Sequence, residues 1–167
     1  MYETPIINIG QRSCQGYFAC HFVGFDRSNH VEIGDDACDG TNACYYVGSR
    51  YATTYTKIGH GACVGLSACH YLGALSKYMV KVGLGSCRNG DRSCYRVGQI
   101  QEDDHRYKVD IDGYSCWGEN SCYEIGTNHK RITVDGASCH GKDSCREETC
   151  GDVDLRYFTY VNDQCTY

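Results

Sequence analysis

The stretch IGQRSCQGYFACHFVG, residues 9–24, sets two cysteines six apart, with a glycine between them and another four places beyond. The chain then repeats the phrase. IGDDACDGTNACYYVG begins at Ile33, IGHGACVGLSACHYLG at Ile58 and VGLGSCRNGDRSCYRVG at Val82. IDGYSCWGENSCYEIG begins at Ile111 and VDGASCHGKDSCREET at Val134. A fixed period of this length is the signature of a repeat architecture, in which each unit needs its neighbours to bury a face.

Aligned on the first cysteine (Cys14, Cys38, Cys63, Cys87, Cys116, Cys139), the copies step by 24, 25, 24, 29 and 23 residues. Copy four holds one extra residue between Cys87 and Cys94, and copy six ends in Glu148-Thr149 where the others have an apolar residue and glycine. Each copy opens on a period-2 pair: Ile7/Ile9, Val31/Ile33, Thr56/Ile58, Val80/Val82, Val109/Ile111 and Ile132/Val134. Mostly polar residues (Asn8, Glu32, Lys57, Lys81, Asp110, Thr133) separate the members of each pair. That alternation describes a short strand with one wet face, and no sustained helical period competes with it. Strands stacked about 4.8 Å apart bury what a single copy cannot. The expected fold is all-β: a single parallel β-solenoid (β-helix) of six to seven coils. Right-handed winding is expected from parallel crossovers. The coils fall at 5–30, 31–54, 55–78, 79–106, 107–130 and 131–149, and residues 150–167 form a C-terminal strand turn, so that 1–167 is one repeat domain.

The residues around the cysteines describe a thin interior. Before the first cysteine stand Ser13, Ala37, Ala62, Ser86, Ser115 and Ser138; before the second, Ala19, Ala43, Ala68, Ser93, Ser121 and Ser144. Only small side chains fit such a ladder. The glycine two after the first cysteine (Gly16, Gly40, Gly65, Gly118, Gly141) lets the chain turn with positive φ and brings the flanking cysteines within bonding reach. The expected bonds are Cys14–Cys20, Cys38–Cys44, Cys63–Cys69, Cys87–Cys94, Cys116–Cys122 and Cys139–Cys145, with Cys150 and Cys165 clamping the C-terminal segment. Cysteines stacked in neighbouring coils are also close enough to bond, so pairing between coils stays open as the alternative.

Composition agrees. Fourteen cysteines in 167 residues approach the density of a disulfide scaffold, and 20 glycines and 15 tyrosines stand against one proline and four phenylalanines. Few large aliphatic residues means a thin core that needs staples, and the even cysteine count indicates an oxidising, extracellular or cell-surface setting. The net charge of −5, without a basic run, argues against nucleic acid. No apolar stretch is long enough for membrane insertion. MYETPIINIG lacks the basic start and apolar run of a signal peptide, so a secreted form is expected to be mature or trimmed.

Phrases such as IGDDACDG and GENSCYEIG, six times over about residues 5–149, resemble cysteine-rich repeats in predicted extracellular proteins of diatoms and related algae. The resemblance implies a repeat type and no settled activity. A looser similarity links the chain to the disulfide-braced solenoids of insect antifreeze proteins. Those carry a Thr-x-Thr row in every coil, whereas Thr53–Thr56 occurs in one coil here.

Chemical sites are weighed against plainer readings. His60 and His70 near Cys63 and Cys69, with His21 and His140 beside Cys20 and Cys139, invite zinc. Their spacing does not match structural zinc sites and no histidine recurs in every copy, so no metal or cofactor is expected. Asp35/Asp36/Asp39 and Glu102/Asp103/Asp104 do not recur by coil and are read as solvated turns. Asp110, Asp112, Asp135 and Asp154 could align for sugar chemistry, but nothing forces a raised pKa and no enzyme is expected. After the second cysteine come His21, Tyr45, His70, Tyr95 and Tyr123, and one place on Phe22, Tyr46 and Tyr71. Stacking makes these columns of rings, either stiffening ladders or a binding face (Tyr45, Tyr46, Tyr71, Tyr95, Tyr123) for carbohydrate or a surface protein. Solenoid ends expose strand edges, here Ile7 and Ile9 at one end and Val153 and Leu155 at the other. The expected function is a structural block that stacks on itself, head to tail, into a fibre or coat.

Overall fold

The computed structural model describes residues 6–22, 30–46, 55–72, 79–97, 108–125, 131–145 and 153–155. Seven short strands follow from the alternating pairs: β1 (Ile6–Ile9), β2 (His30–Ile33), β3 (Tyr55–Ile58), β4 (Met79–Val82), β5 (Lys108–Ile111), β6 (Arg131–Val134) and β7 (Val153–Leu155). They form one parallel sheet in chain order. The register is that of the repeat, Ile7 beside Val31, Val31 beside Thr56, and so on to Ile132 beside Val153. One strand per copy, every neighbour parallel, is a β-solenoid. Among the described residues no helix is long and apolar enough to cross a membrane.

Past each strand the chain leaves β geometry without leaving the axial ladder. The amide of Cys14 donates to the carbonyl of Ala37, Cys38 to Ala62, Cys63 to Ser86, Cys87 to Ser115 and Cys116 to Ser138. In the opposite sense Asp36 donates to Gln11, Gly40 to Gln15 and Asn42 to Tyr17. Alternate residues achieve this by turning left-handed, with φ of 53° at Asp36, 56° at Cys38, 56° at Asn42, 54° at Cys44 and 63° at Tyr46. All twelve described cysteines lie at φ between 51° and 59°. Such a φ costs an L-residue on the order of 1 kcal/mol, and it persists where the surroundings over-determine it. Here an axial hydrogen bond and a covalent bridge both do so.

Six disulfides close the coils: Cys14–Cys20, Cys38–Cys44, Cys63–Cys69, Cys87–Cys94, Cys116–Cys122 and Cys139–Cys145. Cys150 and Cys165 lie outside the described residues. Copy four absorbs its extra residue as a bulge over Arg88-Asn89-Gly90, where Asn89 takes φ 63°. The ladder recovers at once, with Arg92 donating to Leu66 and Asn120 to Asp91.

The interior is a set of parallel columns. Val31, Ile33, Thr56, Ile58, Val80, Val82, Val109, Ile111, Ile132 and Val134 line the sheet side and are buried. The cystines run up the middle, and Leu72, Val97 and Ile125 close the far side. The Ser/Ala rungs are buried from Ala37 onward. Backbone carbonyls take up the hydroxyls of five of these serines, as where Ser86 Oγ donates to the Asp112 carbonyl at 2.6 Å and Ser93 Oγ to Gly118 at 2.8 Å, whereas Ser138 Oγ is buried without a partner among the described residues.

Candidate functional site

The first coil differs from the rest in what covers it. Ile7 and Ile9 are 53% and 55% exposed, whereas Val31 and Ile33, at the same register one coil on, are 1% and 2% exposed. Tyr17 and Phe18 of the same coil are also exposed. The amides of Arg12, Gly16 and Phe18, whose counterparts Asp36, Gly40 and Asn42 donate to the preceding coil, meet no acceptor among the described residues. This end presents apolar rungs and amides spaced as the next coil of a solenoid would need them. At the other end β7 carries Val153 at the register of Ile132 and Leu155 at that of Val134. Val153 and Leu155 therefore occupy in β7 the places that Ile7 and Ile9 occupy in β1.

The residues after the second cysteine form two aromatic columns. In one, Phe22, Tyr46 and Tyr71 stack face to face, with centroids 4.9 and 5.1 Å apart and planes 13° and 5° from parallel. The Arg96 guanidinium caps this stack 5.9 Å from the Tyr71 ring and is itself held by Glu124 at 2.8 Å. In the other column His21, Tyr45, His70, Tyr95 and Tyr123 follow one another at 4.9 to 5.1 Å. Tyr45, Tyr46, Tyr71, Tyr95 and Tyr123 are all half-buried. Both ring nitrogens of His70 are buried without a hydrogen-bond partner. Burial, with a smaller push from the Arg96 charge, lowers its pKa to about 4, so the ring is neutral at physiological pH.

Charged residues also pair along the axis, a pattern that single-copy reading misses because partners lie about 24 residues apart. Arg12 grips Asp36 through Nε at 2.6 Å and Nη2 at 2.7 Å, and this hydrogen bond holds the Asp36 carboxyl below its usual range. Asp35 accepts from the Gln11 amide at 2.7 Å. Lys57 meets Glu32 at 3.0 Å, and Lys81 reaches both Asp110 at 2.9 Å and Asp112 at 3.1 Å. Burial opposes ionisation of Asp110, but bonds from Lys108 and Lys81 outweigh it and lower its pKa. Asp110 is an anion at neutral pH, not a reservoir of protons. The Asp135 backbone lies one coil beyond Asp112, Asp154 sits in β7, and Glu102, Asp103 and Asp104 fall outside the described residues, as do Thr53 and Thr54.

His21 and His70 belong to the ring columns, and His140 stacks on Trp117 with centroids 5.3 Å apart. His60 lies 3.9 Å from Asp36. The sulfurs of Cys87, Cys94 and Cys116 approach within 4.8 Å of one another, but all three are oxidised in disulfides and offer no thiolate to a metal.

The chain belongs to the family described as domain of unknown function DUF7640, whose family model matches residues 49–166. No curated protein and no solved structure matches it.

Proposed function

We propose that this member of the DUF7640 family is an extracellular structural protein, a disulfide-stiffened rod that stacks end to end on copies of itself in a fibre or surface coat. The carrying observation is the contrast between Ile7 and Ile9, half-exposed, and Val31 and Ile33, which have a coil on either side and are buried. The buried rungs from Val31 to Val134 each lie beside further coils of the same repeat, so a second copy is the occupant whose spacing and chemistry fit. In such a contact β7 of one copy pairs parallel with β1 of the next, Val153 beside Ile7 and Leu155 beside Ile9. A head-to-tail contact of this kind propagates unless it closes. Six disulfides suit an oxidising compartment, and the resemblance to algal extracellular repeats points the same way.

The ring faces of Phe22, Tyr46 and Tyr71 are spent on one another, which favours a stiffening role for this column over a platform for carbohydrate. No catalytic role is proposed for any residue. The test is solution mass across a concentration series, with electron microscopy of the concentrated protein. Polymers should grow in the unmodified protein and vanish in an Ile7→Lys, Ile9→Lys double variant that keeps its six disulfides. A wild-type monomer at all concentrations overturns the proposal.

A further inference from the structure

Two residues before the first cysteine, four coils carry side chains: Arg12, Asp36, Tyr114 and Ala137. Coils three and four carry Gly61 and Gly85 instead, at φ 60° and 62°. Their missing side chains leave a notch of about 480 Å³. Asp36 and Asp39 of coil two border it on the N-terminal side, His60 lies between, and Leu84, Arg88 and Tyr114 border it toward the C-terminus.

The Arg88 guanidinium lies across the two glycine positions. Its Nη1 is 3.5 Å from where a Cβ on Gly61 would be and 4.0 Å from that of Gly85. Its Nε is buried without an acceptor, and among the described residues the guanidinium forms no ion pair. A buried N–H donor of a permanently charged fork left without an acceptor is costly, and carboxylate is the best-matched partner for that half-buried fork. Asp39 is the complementary case: an exposed carboxylate with no side-chain partner among the described residues. Arg88 and Asp39 stand at one register two coils apart, with Val64 between them, so they do not neutralise each other. Asp36, by contrast, is already occupied by Arg12. Tyr114, 49% exposed, offers an apolar ring at the notch edge, held there against Trp117 with centroids 6.1 Å apart.

We propose that this notch binds a uronate unit of an acidic polysaccharide. The carboxylate pairs with Arg88, ring hydroxyls donate to Asp39, and one sugar face lies on Tyr114. The ligand thus needs an anionic group and a hydroxyl-rich edge on one ring, which separates it from neutral sugars and from simple anions. The site lies on the side of the rod, so its occupation is independent of end-to-end stacking.

Calorimetry with galacturonate trimer, its neutral galactose counterpart and sodium acetate tests the site. The galacturonate trimer should bind, and the other two should bind about tenfold more weakly or not at all. Arg88→Gln and Tyr114→Ala should each weaken binding by about tenfold, and Asp39→Asn by less. Binding of the neutral trimer as tight as the acidic one, or an Arg88→Gln protein that retains full affinity, overturns the proposal. Should Arg88→Gln fail to form its six disulfides, Tyr114→Ala decides in its place, because that ring is exposed and its loss leaves the core untouched.

Discussion

A methyl group on Gly40 would lie 2.4 Å from the Gly65 carbonyl oxygen, and one on Gly16 would lie 2.6 Å from that of Gly40. The column of glycines two after the first cysteine is therefore closed by backbone from the next coil, at φ of 120° for Gly16 and 130° for Gly40. No side chain can swing aside to relieve the contact.

Gly40→Ala should accordingly cost roughly 3 kcal/mol or more, because overpacking and an unfavourable φ add. Denaturant unfolding with the disulfides intact measures it. A cost below about 1 kcal/mol would show that the coils can spread at this point.

The converse substitution should stabilise. Ala137 is exposed and sits at φ 57°, at the register where Gly61 and Gly85 stand in other coils. Ala137→Gly removes left-handed strain and no packing, and should add about 1 kcal/mol, read as a higher denaturant midpoint.

His70 should make the fold acid-sensitive. The unfolded chain takes up a proton near the ordinary histidine value of 6.5, while the folded chain resists until about 4. This contribution is complete above pH 6.5 and is lost as pH falls toward 4. His70→Tyr places in the column the residue found there at Tyr45, Tyr95 and Tyr123. The drop in stability between pH 6.5 and 4 should be smaller in that variant than in the unmodified protein; equal drops would contradict the burial of His70.

Reduction should begin at the first coil. Cys14 and Cys20 are partly exposed, whereas Cys38, Cys44, Cys63, Cys69, Cys87, Cys94, Cys116 and Cys122 are fully buried. Under mild reductant, mass mapping of alkylated thiols among these five bridges should find Cys14 and Cys20 labelled first. Each small loop opened loses about 2 kcal/mol in the chain-entropy model, so removal of Cys63–Cys69 by a double alanine substitution should cost at least that.

Much of this was legible in the residues. Alternation at Val31/Ile33 and its equivalents prescribes a strand with one buried face, and a 24-residue period prescribes stacking, because a single copy cannot hide that face. The Ser/Ala rungs announced a narrow interior, and the glycine column announced a turn. These are local properties, written in the side chains that carry them. The left-handed backbone at every described cysteine was not legible. Nothing in a cysteine prefers φ near 55°; that conformation is imposed by hydrogen bonds to the coils above and below. Nor could spacing alone decide that Arg12 closes on Asp36, that Tyr71 lies flat on Tyr46, or that Arg88 and Asp39 are left apart with a rung between them. Those relations depend on the angle at which one coil lies over the next. Only the stacked chain sets that angle, because it balances axial hydrogen bonds against the packing of whole columns.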